Sequence, residues 1–255
     1  MKVFVVDVAK CNGCYNCQVS CKDEHCGVDW MPYAKAEPMT GQFWCGVEER
    51  VRGTVPLTRI SYIPHLDAQT DAIGDYAPEA VMEREDGIVV LDPAKCQGRK
   101  DIADKFPGVF WNEELGICQG CTGCAHLLDD GWTVPRCVDS CPTGALRFGE
   151  AEDFAGELED AVRLDEKSHV YYLNYPKRFV GGCLVDLDER EVVIGADVAL
   201  VGPDGAVVAA QKTDEFGDFM FDQVEAAAYK VTFADKSLDA DATDADVNLG
   251  DLSIK

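Results

Sequence analysis

The sequence predicts an α+β chain in two parts, a cysteine-rich unit over residues 1–178 and a small antiparallel β-sandwich over residues 179–255. Three observations predict it. Thirteen cysteines are spaced as metal ligands rather than as disulfide partners. Strand-like runs, VFVVDV at 3–8 and GIVVLD at 87–92, lead into two loops with the same Asp-x-Ala-Lys-Cys-x-Gly frame. From Gly181 the pattern changes to short alternating strands separated by turn residues. At 255 residues the chain can bury one large core or two modest ones.

Charge removes several classes of partner. A net charge of -24 and a pI near 4.3 argue against nucleic acid, which needs clustered Lys and Arg to displace counterions, and against anionic lipid surfaces. Residues 179–255 hold 17 acidic and 5 basic side chains, half of the surplus. No apolar run reaches the roughly 20 residues that span a bilayer. The start, MKVFVVDVAK, shows neither a secretory pattern nor a twin-arginine pair. The expectation is no direct membrane insertion and a cytoplasmic place, or export only by association with a signal-bearing partner.

The odd cysteine count speaks against a fully paired disulfide framework, and spacing carries the rest. In CxxCxxCxxxC, Cys11, Cys14 and Cys17 lie on one tight loop able to grip three corners of an iron–sulfur cube. Cys21 is carried onto the helix that follows and is free to reach a second cube. A matching run follows at Cys121, Cys124, Cys137 and Cys141, with an inserted segment before the third ligand and Pro142 turning the chain away after the fourth. In two-cluster bacterial ferredoxins the last cysteine of each run serves the other cluster. The expected ligands are therefore Cys11, Cys14, Cys17 and Cys141 for one 4Fe-4S cluster, and Cys121, Cys124, Cys137 and Cys21 for the other. Structural zinc also takes CxxC pairs in fours, but rarely a three-thiolate CxxCxxC run. Cys118 is an alternative ligand, because it makes a CxxCxxC with Cys121 and Cys124. Cys26, Cys45 and Cys183 stand alone and read as small buried apolar residues.

The second Asp-x-Ala-Lys-Cys loop, DPAKCQGRKDIADKFPG at 92–108, keeps Cys96 but has Arg99, Ile102 and Phe106 where the first has cysteines. One thiolate cannot hold a cube. This half of the unit reads as a cluster-free scaffold left by duplication. FAGELEDAVRLDEK at 154–167 has helical spacing, and YYLNYP at 171–176 reads as aromatic packing over a cluster or against a partner. His25, His65, His126 and His169 read as structural.

In the last third, CLVDL, ADVALVGPDG, AVVAAQ, TDEFGDFMF, YKVTFA and VNLGDLSI give six or seven strands, as in an Ig-like or transthyretin-like sandwich. GADVALVGPDGAVVAAQKTDEFGDFMF resembles the carboxypeptidase regulatory or collagen-binding B-type repeat, and no catalytic constellation is visible in it.

VDVAKCNGCYNCQVSCKDEH, EREDGIVVLDPAK, WNEELG, CTGCAHLLDD and PRCVDSC, followed by a terminal sandwich, resemble the small iron–sulfur subunit of the pyrogallol–phloroglucinol transhydroxylase, resorcinol hydroxylase and catechol dehydroxylase group, in the dimethyl sulfoxide reductase superfamily. The resemblance covers nearly the whole chain. It implies a bacterial-ferredoxin-like domain with long insertions and a heterodimer, or a larger assembly, with a molybdopterin-containing catalytic subunit. That large partner subunit, and not this chain, holds the bis-molybdopterin guanine dinucleotide and molybdenum and acts on a hydroxylated aromatic ring. One departure matters: YIPHLDAQTDAIGDY stands where the transhydroxylase pattern has a further cysteine-rich motif, so two clusters are expected. The chain itself is expected to carry electrons between an unknown donor and the partner, with no catalytic residue of its own. The partner reaction is expected to be reductive dehydroxylation or transhydroxylation of a catechol-type aromatic. The alternatives are a freestanding ferredoxin-type carrier or a subunit of a molybdoenzyme with a non-aromatic substrate.

Overall fold

A computed structural model describes residues 1–26, 42–53, 58–82 and 84–255. The chain divides into two compact units, Met1–Glu49 with Ser61–Tyr175, and Arg50–Ile60 with Pro176–Lys255.

The first unit contains, in chain order, β1 (Lys2–Asp7), α1 (Asn16–Glu24), β2 (Gly46–Arg52), β3 (Arg59–His65), α2 (Ala72–Tyr76), β4 (Val81–Met82), β5 (Val90–Leu91), α3 (Lys100–Lys105), β6 (Val109–Asn112), β7 (Ile117–Gly120), α4 (Ala125–Asp129), α5 (Arg136–Asp139), β8 (Leu146–Glu150), α6 (Ala155–Leu158) and β9 (Val170–Leu173). Residues 50–52 of β2 and 59–60 of β3 belong to the second unit. β1 is the middle strand of a three-stranded sheet, antiparallel to β8 and parallel to β9. Its continuous run FVV is the pattern of a strand covered on both faces, and Val3 to Val6 are all buried. Two-stranded ladders join β4 to β5 and β6 to β7.

Two sequence expectations change here. The helix expected over 154–167 is a single turn, α6, ending at Leu158. Instead Val162 exchanges backbone hydrogen bonds with Tyr172, at 2.9 and 2.8 Å, and extends the sheet edge. In YYLNYP, Tyr172 is buried in the core and packs edge-on to Tyr175.

The degenerate loop at 92–108 shows what replaced its ligands. Ile102 is fully buried and Phe106 packs on the same core, while Arg99 turns outward to Asp101 and Glu79. Side chains occupy the positions that thiolates hold in the first loop.

The second unit contains β10 (Arg178–Asp186), β11 (Glu191–Val192), β12 (Asp197–Val201), β13 (Val207–Lys212), β14 (Asp218–Val224), β15 (Ala228–Phe233), β16 (Lys236–Asp241) and β17 (Val247–Ser253). One sheet has the order β11-β10-β14 with β17 paired to β10, and the other β13-β12-β15-β16. Leu184, Phe219 and Phe221 of the first meet Leu200, Val231 and Phe233 of the second in one core, so the unit is a two-sheet sandwich. Within this unit the buried Arg52 donates to Asp222 at 3.0 Å and to the carbonyl of Lys177 at 2.7 Å.

Candidate metal centre

Two loops with one local geometry present the thiols. In Cys11-Asn12-Gly13-Cys14 and Cys121-Thr122-Gly123-Cys124 the glycine sits at positive φ, +68° and +58°. The turn points the backbone N–H of each glycine back at the cysteine two residues earlier. Gly123 N donates to Cys121 Sγ at 3.4 Å, and Gly13 N makes the same bond to Cys11. A side chain cannot replace either glycine without moving a neighbour: an added Cβ would lie 2.7 Å from the Tyr62 ring at Gly13 and 2.5 Å from Ile88 at Gly123.

The third cysteine of each run lies in a helix, Cys17 in α1 and Cys137 in α5, and these helices pack on each other. Cys21 follows Cys17 by four residues, and Cys141 follows Cys137 by four. Cys21 therefore lies one turn of α1, about 6 Å along the axis, beyond Cys17, while Cys141 lies past the end of α5, where its N–H bonds the carbonyl of Val138 at 3.1 Å.

That offset sorts the eight thiols into two sets. Cys11, Cys14, Cys17 and Cys141 line one hollow with Pro64, Leu146 and other neighbours. Cys21 lies near enough to feel Cys137, Cys124 and Cys17, and Cys121 to feel Cys21, Cys137 and Cys124, so Cys21, Cys121, Cys124 and Cys137 gather as a second group that Cys17 adjoins. Cys14 is exposed and Cys11 and Cys141 are half-buried, whereas all four of the second group are buried. Among the described residues no three His, Cys, Asp or Glu side chains converge on a point that would hold a single metal ion. The four thiols of the first set line a common hollow, and four thiolates, three of them from a CxxCxxC run, are the donor set of a four-iron cube.

Burial raises the Cys21 and Cys121 thiols well above their usual range, with neighbouring thiols adding to the effect, and pushes Cys124 to about 12. A bare set of thiolates is therefore unfavourable at this site. Iron supplies the positive charge the pocket lacks, which is the chemistry that fits these donors. Cys141 titrates below its usual range despite burial, because the N–H of Leu146, 3.5 Å from its sulfur, and Thr143 donate to it. Cys17 is lowered by a hydrogen bond from Cys45.

Supporting residues hold the second loop. His25 donates from Nδ1 to the carbonyl of Cys21 at 2.8 Å and accepts the Thr122 hydroxyl at Nε2, 3.2 Å away. Thr122 Oγ1 in turn accepts the N–H of Cys124. Burial lowers the pKa of His25, in keeping with this neutral tautomer. His126, half exposed, pairs with Glu24 at 3.0 Å. Cys118 is paired through its thiol with Cys96, both being buried beside the degenerate loop.

Several contributors escape sequence reasoning. Gln69, 1% exposed, donates from its amide to the carbonyls of Val89 and Cys121 and accepts the N–H of Val89. Nothing local marks it. Cys45, expected as a plain apolar residue, is fully buried and contacts Cys17 and Cys137, one from each set. Ser20 and Ser140 each precede the last cysteine of a run, in VSC and DSC, a repeat that could have flagged them.

The comparisons with known proteins bear on the kind of protein that carries these thiols. A family model described as a 4Fe-4S dicluster domain matches residues 68–151, which makes the chain an iron–sulfur protein of ferredoxin type. The pyrogallol hydroxytransferase small subunit of Pelobacter acidigallici is 38% identical over 247 residues, 89% of this chain and 88% of its own. A tetrathionate reductase subunit of Salmonella typhimurium is 28% identical over 69% of this chain and 74% of its own, and a subunit of the anaerobic dimethyl sulfoxide reductase of Escherichia coli is 28% identical over 59% and 74%. The chain belongs to the family of that pyrogallol hydroxytransferase small subunit, among the iron–sulfur subunits of the dimethyl sulfoxide reductase superfamily, and its work is electron transfer. No helix among the described residues is long and apolar enough to cross a membrane.

Proposed function

We propose that the chain holds two 4Fe-4S clusters and passes electrons between an external donor and a large molybdopterin-containing catalytic subunit. Cys11, Cys14, Cys17 and Cys141 hold the first cluster, and Cys121, Cys124, Cys137 and Cys21 the second. The observation that supports this reading is that Cys141 lines the hollow of Cys11, Cys14 and Cys17, while Cys21 lies with Cys121, Cys124 and Cys137. When bound, each cluster takes up and releases one electron at a time.

The chain's own residues set the conditions for that exchange. The N–H groups of Gly13, Gly123 and Leu146 aim at thiolate sulfur and stabilise the added negative charge. Pro64, Val47 and Leu146 close apolar surface over the first set and keep water from it. The exposed Cys14 brings that set nearer to the surface, which favours it for exchange with another protein. Residues 1–178 act as the ferredoxin-like electron-transfer unit with a cluster-free half, and the Ig-like sandwich over 179–255 as a structural or docking module.

The partner reaction proposed is reductive dehydroxylation, or transhydroxylation, of a catechol-type aromatic. The 38% identical relative, a pyrogallol hydroxytransferase subunit, supports it. Dehydroxylation needs two electrons from outside, and a two-cluster subunit gives them a path. The second reading, a freestanding carrier, has against it a relative that is itself a small subunit. Purification from the native source separates the two. The chain is expected to elute with a much larger molybdenum-containing chain and with about eight iron atoms per copy. Elution of the iron-loaded chain alone would contradict the subunit reading.

A further inference from the structure

We propose that Tyr15, braced by Tyr62, is the water shield of the first cluster and thereby lowers the potential at which that cluster takes up an electron. The inference rests on the ligand sets proposed above.

Three observations meet at Tyr15. It lines the hollow of Cys11, Cys14, Cys17 and Cys141. It stands at the start of α1 in the left-handed region, at φ +59°, where glycine fits without strain and a bulky side chain is an outlier. Strain of this kind persists where the surrounding structure holds it in place. Tyr62 supplies the hold. Its ring meets that of Tyr15 edge to face, with centroids 6.3 Å apart and planes at 76°. The same ring lies flat against Gly13, since a Cβ built there would be 2.7 Å from three of its atoms, Cδ1, Cδ2 and Cε1. Tyr62 and Pro64 stand two residues apart on β3 and share one face of the strand, and Pro64 also lines the hollow. One strand face thus braces the ligand loop and closes the space beside it.

The two runs differ at this point. In the second, the residue after Cys124 is Ala125, buried as the first residue of α4, and all four thiols of that set are buried. The ring stands at the set with an exposed thiol, Cys14. Water that reaches a cluster stabilises the added negative charge of its reduced form and so makes reduction easier. A ring that fills the approach keeps the medium around the sulfurs apolar and holds the potential down. Cys14 then stays open to a redox partner while Tyr15 shuts the space next to it.

The test is an EPR-monitored redox titration of the native complex, paired with pulsed EPR of the reduced clusters after exchange into heavy water, on wild type, Tyr15→Gly, Tyr15→Phe and Tyr62→Ala. The cluster missing from Cys14→Ala identifies the first. Tyr15→Gly removes the ring and relieves the backbone strain together. In it the reduction equilibrium of the first cluster is expected to rise about tenfold, about 59 mV for a one-electron step, with stronger deuterium coupling, while the second cluster is unchanged. Tyr15→Phe keeps the ring and is expected to keep the wild-type midpoint and coupling. Tyr62→Ala is expected to move the first midpoint in the same direction as Tyr15→Gly, because the ring of Tyr15 loses its brace. Wild-type values of midpoint and coupling in Tyr15→Gly overturn the shield, and so does an equal shift of both clusters. A shift in Tyr15→Phe as large as in Tyr15→Gly assigns the effect to the hydroxyl and overturns it too. If Tyr15→Gly loses iron, Tyr62→Ala decides: a rise of the first midpoint supports the proposal and an unchanged one overturns it. Fewer than two reducible clusters in the wild-type complex would instead refute the ligand sets on which the inference stands.

Discussion

Replacing Cys21 with alanine is expected to disrupt the cluster held by Cys121, Cys124 and Cys137, a hundred residues away in sequence, and to spare the one held by its neighbours Cys11, Cys14 and Cys17. The reason is the helical offset. Cys21 lies one turn of α1 beyond Cys17 and joins the buried group formed by the second loop, where Cys124 and Cys137 act on it most strongly. Removing it leaves three thiolates and an open corner, so iron falls from about eight toward about four atoms per chain, or stops at a three-iron remnant. The spectrum of the surviving cluster identifies which one was lost. It should match that of Cys124→Ala and differ from that of Cys14→Ala. A match to Cys14→Ala would mean that the first run closes on itself and that the exchange of thiols does not occur.

Gln69→Leu is expected to destabilise the first unit by roughly 3–9 kcal/mol, the largest stability effect argued from the described residues. The leucine nearly conserves volume, so the cost is polar. It leaves the carbonyls of Val89 and Cys121 and the N–H of Val89 without the partners now at 2.9, 2.8 and 3.1 Å, and each orphaned buried group costs about 1–3 kcal/mol. Gln69 lies in YIPHLDAQTDAIGDY, the segment where the family resemblance leads to the expectation of a further cysteine motif. In this chain that segment grips the backbone of a ligand instead. The second cluster should therefore bleach at lower denaturant concentration than in the wild type, ahead of the first. An unchanged bleaching midpoint would mean that Gln69 is incidental.

How much of this was legible depends on the range of the interactions. The cysteine runs announce themselves because a cluster loop is local: three ligands, a glycine at positive φ and a helix start fall within ten residues. β1 was legible as a buried strand from VFVV alone. The extent of α6 was not, because apolar spacing over 154–167 carries no sign of the bridge from Val162 to Tyr172 that ends it. β16 was missed because KSLDAD forms an exposed edge strand with only Ala240 buried, which leaves no alternation to see. Gln69, Cys45 and the Ser20–Ser140 contact act across 20 to 120 residues of sequence. A lone glutamine or cysteine carries no mark of the partner it will meet. The loss of ligands at 92–108 was legible, but its structural meaning was not: only the fold shows Ile102 and Phe106 filling the core and Cys96 turned to Cys118.

Anomalous scattering measured on either side of the iron edge, on crystals of the native complex grown without oxygen, tests the crosswise ligation most directly. Two iron peaks within this chain are expected, one bounded by Cys11, Cys14, Cys17 and Cys141 and the other by Cys21, Cys121, Cys124 and Cys137. A single peak, a zinc edge, or iron at Cys96 and Cys118 would contradict it.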